Sequence, residues 1–133
     1  MPNYNIATAA FAIGTSKKWV DNLTSHFRLP GVLSRKRGMS REFSFEGVVL
    51  VSLIRVLCED LNVPTWRAAE IASSVAGSKG TISLTLKGGL VLDIHTETFA
   101  HQVRQRLLEA AESVPRTRRG RPPRTRPTDQ PTF

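Results

Sequence analysis

The feature that most constrains this 133-residue chain is how often it is interrupted. Gly14-Thr15-Ser16, Pro30-Gly31, Pro64, the run Gly77-Ser78-Lys79-Gly80, Gly88-Gly89 and Pro115 break it at short intervals. Glycine and proline are the strongest local punctuators, so only short helices and short hairpins fit between them. The expected class is α+β, mainly α with small β-hairpins. Hydrophobic residues make up 40%, enough for one modest core. A (β/α)8 barrel, at about 250 residues, is excluded by length.

Ile6 to Ala12 reads as a short helix stopped by Gly14. Ser16 is a good N-cap for a second helix, Lys17 to Phe27, whose Val20, Leu23 and Phe27 make an apolar stripe at three- and four-residue spacing. Two short helices meeting at a glycine-containing turn are the helix-turn-helix pattern. After Pro30-Gly31, the pairs Val32-Leu33 and Glu42-Phe43 flank Ser34 to Arg41 and read as a hairpin with a basic tip, a wing. Ser44 can cap a third helix, Phe45 to Asp60, with a broad apolar face from Val48, Leu50, Val51, Ile54, Leu57 and Cys58. A fourth helix runs to about Val75, with Pro64 in its first turn and Trp66, Ala69 and Ile71 as packing residues.

Two strands follow, Thr81–Leu86 and Leu90–His95. Their register can be argued. A two-residue Gly-Gly loop would set Leu84 opposite Asp93. A three-residue loop sets Ile82 opposite Ile94, Leu84 opposite Leu92 and Leu86 opposite Leu90, which puts every apolar residue on one face. Thr96 can cap a last helix, Glu97 to Val114, with Phe99, Val103 and Leu107, and with Ala100, Leu108 and Ala111, on its apolar stripe. The tail from Pro115 is rich in Pro, Arg and Thr and reads as disordered when free.

Charge is segregated along the chain. The total is +8. Residues 17–41 carry Lys17, Lys18, Arg28, Arg35, Lys36, Arg37 and Arg41 against Asp21 alone. Residues 115–133 carry six arginines against Asp129. The stretch between them is balanced or acidic. Two separate basic regions are the electrostatic footprint of a nucleic-acid binder.

The order helix, turn, helix, basic wing, helix, helix resembles the DNA-binding domain of the MerR family, a winged helix-turn-helix. The matching residues are Tyr4-Asn5-Ile6-Ala7-Thr8-Ala9-Ala10, Ile13-Gly14-Thr15-Ser16-Lys17-Lys18, Arg41-Glu42-Phe43-Ser44, Leu53-Ile54-Arg55-Val56-Leu57 and Leu61-Asn62-Val63-Pro64. Family members often carry an Arg-Tyr pair where this chain has Asp21-Asn22, and they continue into a long coiled coil where this chain has a hairpin and a shorter helix. What the resemblance implies is therefore the DNA-binding module alone. In the tail, Arg119-Gly120-Arg121-Pro122, flanked by Arg116, Arg118, Arg124 and Arg126, resembles an AT-hook. Such a segment lies in the narrow minor groove of A·T-rich DNA, where arginines meet the strongest negative potential.

Three regions are expected: a winged helix-turn-helix over 1–76, a dimerising hairpin and helix over 77–114, and the basic tail over 115–133. The hairpin's apolar face is left open between packing across a dimer and packing back on the fourth helix. The expected DNA contacts are Ser16, Lys17, Lys18 and Asn22 from the recognition helix. Arg35, Lys36, Arg37 and Arg41 come from the wing, and Arg119, Gly120, Arg121 and Pro122 from the tail. Asp21 is expected to pair with Lys17 or Lys18, or to accept from cytosine N4. Trp19 and Trp66 are expected in or near the core, and Tyr4 packs near the first helix.

His26, His95 and His101 lack metal-ligand spacing with Cys58, and the chain holds no phosphate loop, nucleophile elbow or His-Glu-x-x-His. The expectation is no enzyme, no metal, no cofactor and no small-molecule ligand. A lone cysteine and the absence of a secretory signal point to a cytoplasmic, nucleoid-associated protein. The function expected is sequence-specific binding of double-stranded DNA by a homodimer, in transcriptional regulation. Two alternatives stay open: an architectural, excisionase-like DNA-bending protein, and a protein-interaction adaptor built on a winged helix.

Overall fold

The computed structural model describes residues 3–33, 41–76, 78–85 and 87–113. The expected contacts Arg35, Lys36, Arg37, Arg119, Gly120, Arg121 and Pro122, and the expected pairing of Leu86, lie outside the described residues. The architecture is mainly helical with two small antiparallel strand pairs, an α+β fold. The elements are α1 (Ile6–Ile13), α2 (Lys17–His26), β1 (Val32–Leu33), β2 (Glu42–Phe43), α3 (Phe45–Asp60), α4 (Thr65–Val75), β3 (Thr81–Thr85), β4 (Val91–His95) and α5 (Thr96–Ser113). Among the described residues no helix is long and apolar enough to cross a membrane.

Local signals fix both ends of α1. The Asn5 side chain accepts from the Thr8 N–H at 2.8 Å, and Gly14, at φ 86°, turns the chain left-handed while its N–H closes on Ala10 and Phe11. A Cβ would strain that conformation, so glycine suits the position. Two residues later Ser16 caps α2, accepting from the Trp19 N–H at 3.1 Å. Val20, Leu23 and Thr24 are the buried face of α2, and Thr24 satisfies its hydroxyl by donating to the Val20 carbonyl.

α3 is the centre of the molecule. Val48, Val51 and Ile54 are fully buried, and α1, α4, α5 and β2 all pack against it. Each Val, Leu or Ile buried this way contributes roughly 1.5–3 kcal/mol. Ser44 caps α3 by accepting from the Gly47 N–H at 3.1 Å, and its hydroxyl donates to the Gly31 carbonyl at 3.1 Å. β1 and β2 pair Val32 with Phe43 and Leu33 with Glu42. Tyr4 adds a third edge, exchanging backbone hydrogen bonds of 2.7 and 2.8 Å with the fully buried Phe43.

α4 begins one residue later than expected. Pro64 is its N-cap, with ψ 145°, and offers no side-chain bond. Ala69 and Ile71 are buried as expected, but Trp66 is 59% exposed. It precedes the buried stripe that opens at Ala68, so it faces away from α3. Trp19 is half-buried, with the Arg55 guanidinium 4.9 Å from its ring centre. Cys58 is only partly buried.

β3 and β4 adopt the register expected of a three-residue loop, pairing Ile82 with Ile94 and Leu84 with Leu92. In the loop Gly88 and Gly89 take left-handed φ of 70° and 78°. Thr96 does not cap α5 from outside. It is the first helical residue, and its hydroxyl donates to the Gly80 carbonyl at 2.6 Å, tying the helix to the start of β3. Val103, Leu107 and Ala110 are the buried line of α5; Leu108 and Ala111 turn out to be exposed. That line packs on α1 and α3 of the same chain, and Arg104 lies over the Phe45 ring at 4.2 Å. The contacts that seat the hairpin come from α5. They bury Ile94 and half-bury Ile82, Leu84 and Leu92, while Leu90 stays 66% exposed.

Candidate nucleic-acid interface

Helical periodicity sorts the residues of α2 into faces. Val20, Leu23 and Thr24 point at the core. Lys18, Asn22 and Ser25 recur at four- and three-residue spacing and share the opposite face, where each is exposed. Lys17 and Asp21 lie to one side of that face, His26 and Trp19 to the other. Neither Lys17 nor Lys18 has an ion pair among the described residues. Ser16 is at the helix start, its hydroxyl occupied by the cap but still exposed. The first turn holds no carboxylate, so the positive end of the helix dipole adds to the two lysines.

Each side of this face has a neighbour. On the Asp21 side stands the β1–β2 pair. Arg41, the residue before β2, donates from Nη1 to the Asp21 carboxylate at 2.6 Å and from Nη2 to the Ser25 hydroxyl at 3.2 Å. Asp21 is therefore paired with Arg41 rather than with Lys17 or Lys18. On the other side a crevice of about 170 Å³ separates α2 from the start of α4, lined by Trp19, Asn22, Leu23, His26, Phe27 and Thr65. His26 Nδ1 lies 2.8 Å from the Asn22 carbonyl oxygen. A carbonyl only accepts, so Nδ1 carries the hydrogen and Nε2 is left as the free ring nitrogen.

The structure thus gathers Ser16, Lys17, Lys18 and Asn22 on one exposed helix, with Arg41 at its flank. Sequence reasoning missed Ser25 and His26. Their signal was present: Ser25 is seven residues after Lys18, and His26 is four after Asn22. Arg28, just past the helix end, is exposed as well. Among the described residues no group of three His, Cys, Asp or Glu side chains is placed to hold a metal. His95 Nδ1 is engaged by the Thr81 hydroxyl at 3.0 Å.

A second concavity, about 340 Å³, opens between α3, α4, β4 and α5. Its walls are mostly apolar, with Phe45, Val49, Leu53, Val75, Ile94 and Phe99 among them, and Glu46, Lys79 and Glu97 also line it. No family model matches the chain, nor does any curated protein or solved structure.

Proposed function

We propose that this protein binds double-stranded DNA through a winged helix-turn-helix. In this reading α1 and α2 are the two helices, and β1–β2 with the segment between them is the wing. The observation that carries it is the uncovered face of α2. Lys18, Asn22 and Ser25 point away from the core, with Lys17 beside them; all four are exposed, and Arg41 reaches the face at Ser25. A helix about 10–12 Å across with side chains fits the major groove of B-DNA, about 12 Å wide. Lys17 and Lys18 approach phosphates, Asn22 presents both a donor and an acceptor to adenine, and Ser16 contacts a phosphate at the helix start. Arg35, Lys36 and Arg37 belong to the wing and meet the neighbouring backbone. Arg119, Gly120, Arg121 and Pro122 in the tail follow the minor groove in the manner of an AT-hook. The role is transcriptional regulation, consistent with the resemblance to the MerR DNA-binding domain.

One winged helix reads few base pairs, and a second copy supplies the rest of a site with half-sites one helical turn apart. Leu90, Val91 and Leu108 on the appended hairpin and helix are large apolar side chains left in solvent, which supports a homodimer through that part. Light scattering of the full chain is expected to give twice the 14.7 kDa chain mass; a monomer at all concentrations contradicts the dimer.

The experiment for the whole reading is selection of bound fragments from a random-sequence duplex pool in moderate salt. A short, two-fold symmetric sequence is expected to be enriched. No retained fragment contradicts DNA binding and favours a protein-interaction adaptor. Two basic regions on one short chain also suit an architectural protein. DNase footprints with phased hypersensitive sites would favour that reading over simple operator binding.

A further inference from the structure

Arg41 stands at the boundary between the β1–β2 finger and the helix beside it. Its guanidinium is planar, and both of its ends are engaged by α2. Nη1 meets Asp21 at 2.6 Å, Nη2 meets the Ser25 hydroxyl at 3.2 Å, and Nε is buried with no partner among the described residues. Asp21 and Ser25 are four residues apart, one above the other on α2, so a single fork spans a full turn of that helix. Arg41 stands two residues before Phe43, which is fully buried and bonded to the backbone of Tyr4, so the strand it leads into is held by the core.

From this we infer that Arg41 is a positioning residue and not a DNA contact. It latches the finger to α2, fixing the spacing between them, and it neutralises the one carboxylate on the helix's exposed side. The inference rests on the DNA-binding reading and refines it. A partly exposed ion pair adds little to stability, so folding alone is a weak reason for this arrangement. Its geometric effect is larger, since it joins residues 20 positions apart in two elements that must reach one duplex together.

The two roles give opposite signs at Asp21. If Arg41 touched phosphate, Asp21 would be a nearby negative charge, and removing it would tighten binding. If Arg41 is a latch, removing either partner frees the finger, and both changes weaken binding.

The test uses the full chain and a labelled duplex of the sequence enriched from the random pool, titrated across a salt series. R41A and D21A are each expected to lose about tenfold in affinity, and the double variant no more than either alone, because they share one interaction. The log–log salt slope is expected to stay at the wild-type value in R41A. Hydroxyl-radical protection is expected to fade on the outer backbone while the central protection stays, a pattern that general destabilisation does not produce. Tighter binding by D21A, or a slope about 0.9 flatter in R41A, which is the loss of one phosphate contact, would overturn the latch while leaving DNA binding intact. Should R41A fail to fold, D21N, which keeps the shape and removes the charge on the exposed side of the pair, is expected to show the same tenfold loss. Wild-type chain that binds no duplex overturns both the DNA reading and the latch.

Discussion

Gly31 and Gly47 are where the chain comes closest to itself. Gly31 sits at φ 81°, and a Cβ there would lie 2.5 Å from the Gly47 nitrogen and 2.7 Å from Ser44 Oγ. A Cβ on Gly47 would run into the Gly31 carbonyl. The same carbonyl accepts from the Ser44 N–H at 2.8 Å and from its hydroxyl. The base of the β1–β2 finger is thereby clamped to the start of α3 by close backbone contact and the Ser44 hydroxyl. Gly47→Ala has no room and is expected to cost about 1–3 kcal/mol, although alanine is otherwise the better helix residue. Urea unfolding would check this; a variant as stable as wild type contradicts the clamp. The sequence showed Gly31 only as part of a helix stop. Contact between glycines sixteen residues apart has no local signature. The pairing of Asp21 was hidden for the same reason, since its partner lies twenty residues on, whereas Lys17 and Lys18 are near neighbours.

At the scale of elements, whatever depended on nearby residues was legible. Ser16 and Ser44 cap the helices they were expected to cap, because N-capping involves only the next three residues. The β3–β4 register follows from keeping apolar residues on one face, and β1 and β2 fall on the pairs Val32-Leu33 and Glu42-Phe43 that flank the basic segment after Pro30-Gly31. Pro64 and Thr96 were each misplaced by one position, an ordinary uncertainty at helix ends. Trp66 was misjudged because an aromatic residue on a helix says nothing of which face it takes. The larger surprise is α5. Its helical period was plain, but its partners are α1 and α3. The small residues Ala9 and Ala10 of α1 are almost wholly buried and let another helix approach closely, a role that composition alone did not announce. α5 thus braces α1, which in turn positions α2. Leu107, 4% exposed on that contact, is expected to cost about 2–5 kcal/mol when replaced by Ala. A thermal melt would measure it; an unchanged midpoint would mean that α5 does not pack as described.

Across the described residues, α2 joins basic charge to an open surface. The chain is +8, and α2, whose polar face is exposed, begins with Lys17 and Lys18. That face was legible because it is the complement of an apolar stripe. What flanks it was legible only in part: Arg41 was expected in the wing, but its pairing with Asp21 and Ser25, and the approach of Arg55 and the start of α4, come only through the fold. Both lysines are exposed and without ion pairs among the described residues, so replacing them leaves core and caps untouched. The most direct measurement is a fluorescence-anisotropy titration of the full chain and its K17A/K18A variant on the enriched duplex, with melting curves of both proteins. Wild type is expected to bind saturably, with affinity falling steeply as salt rises, and the variant to lose site-specific binding at an unchanged melting temperature. A variant that folds and binds the duplex as tightly as wild type would show that this helix does not read DNA.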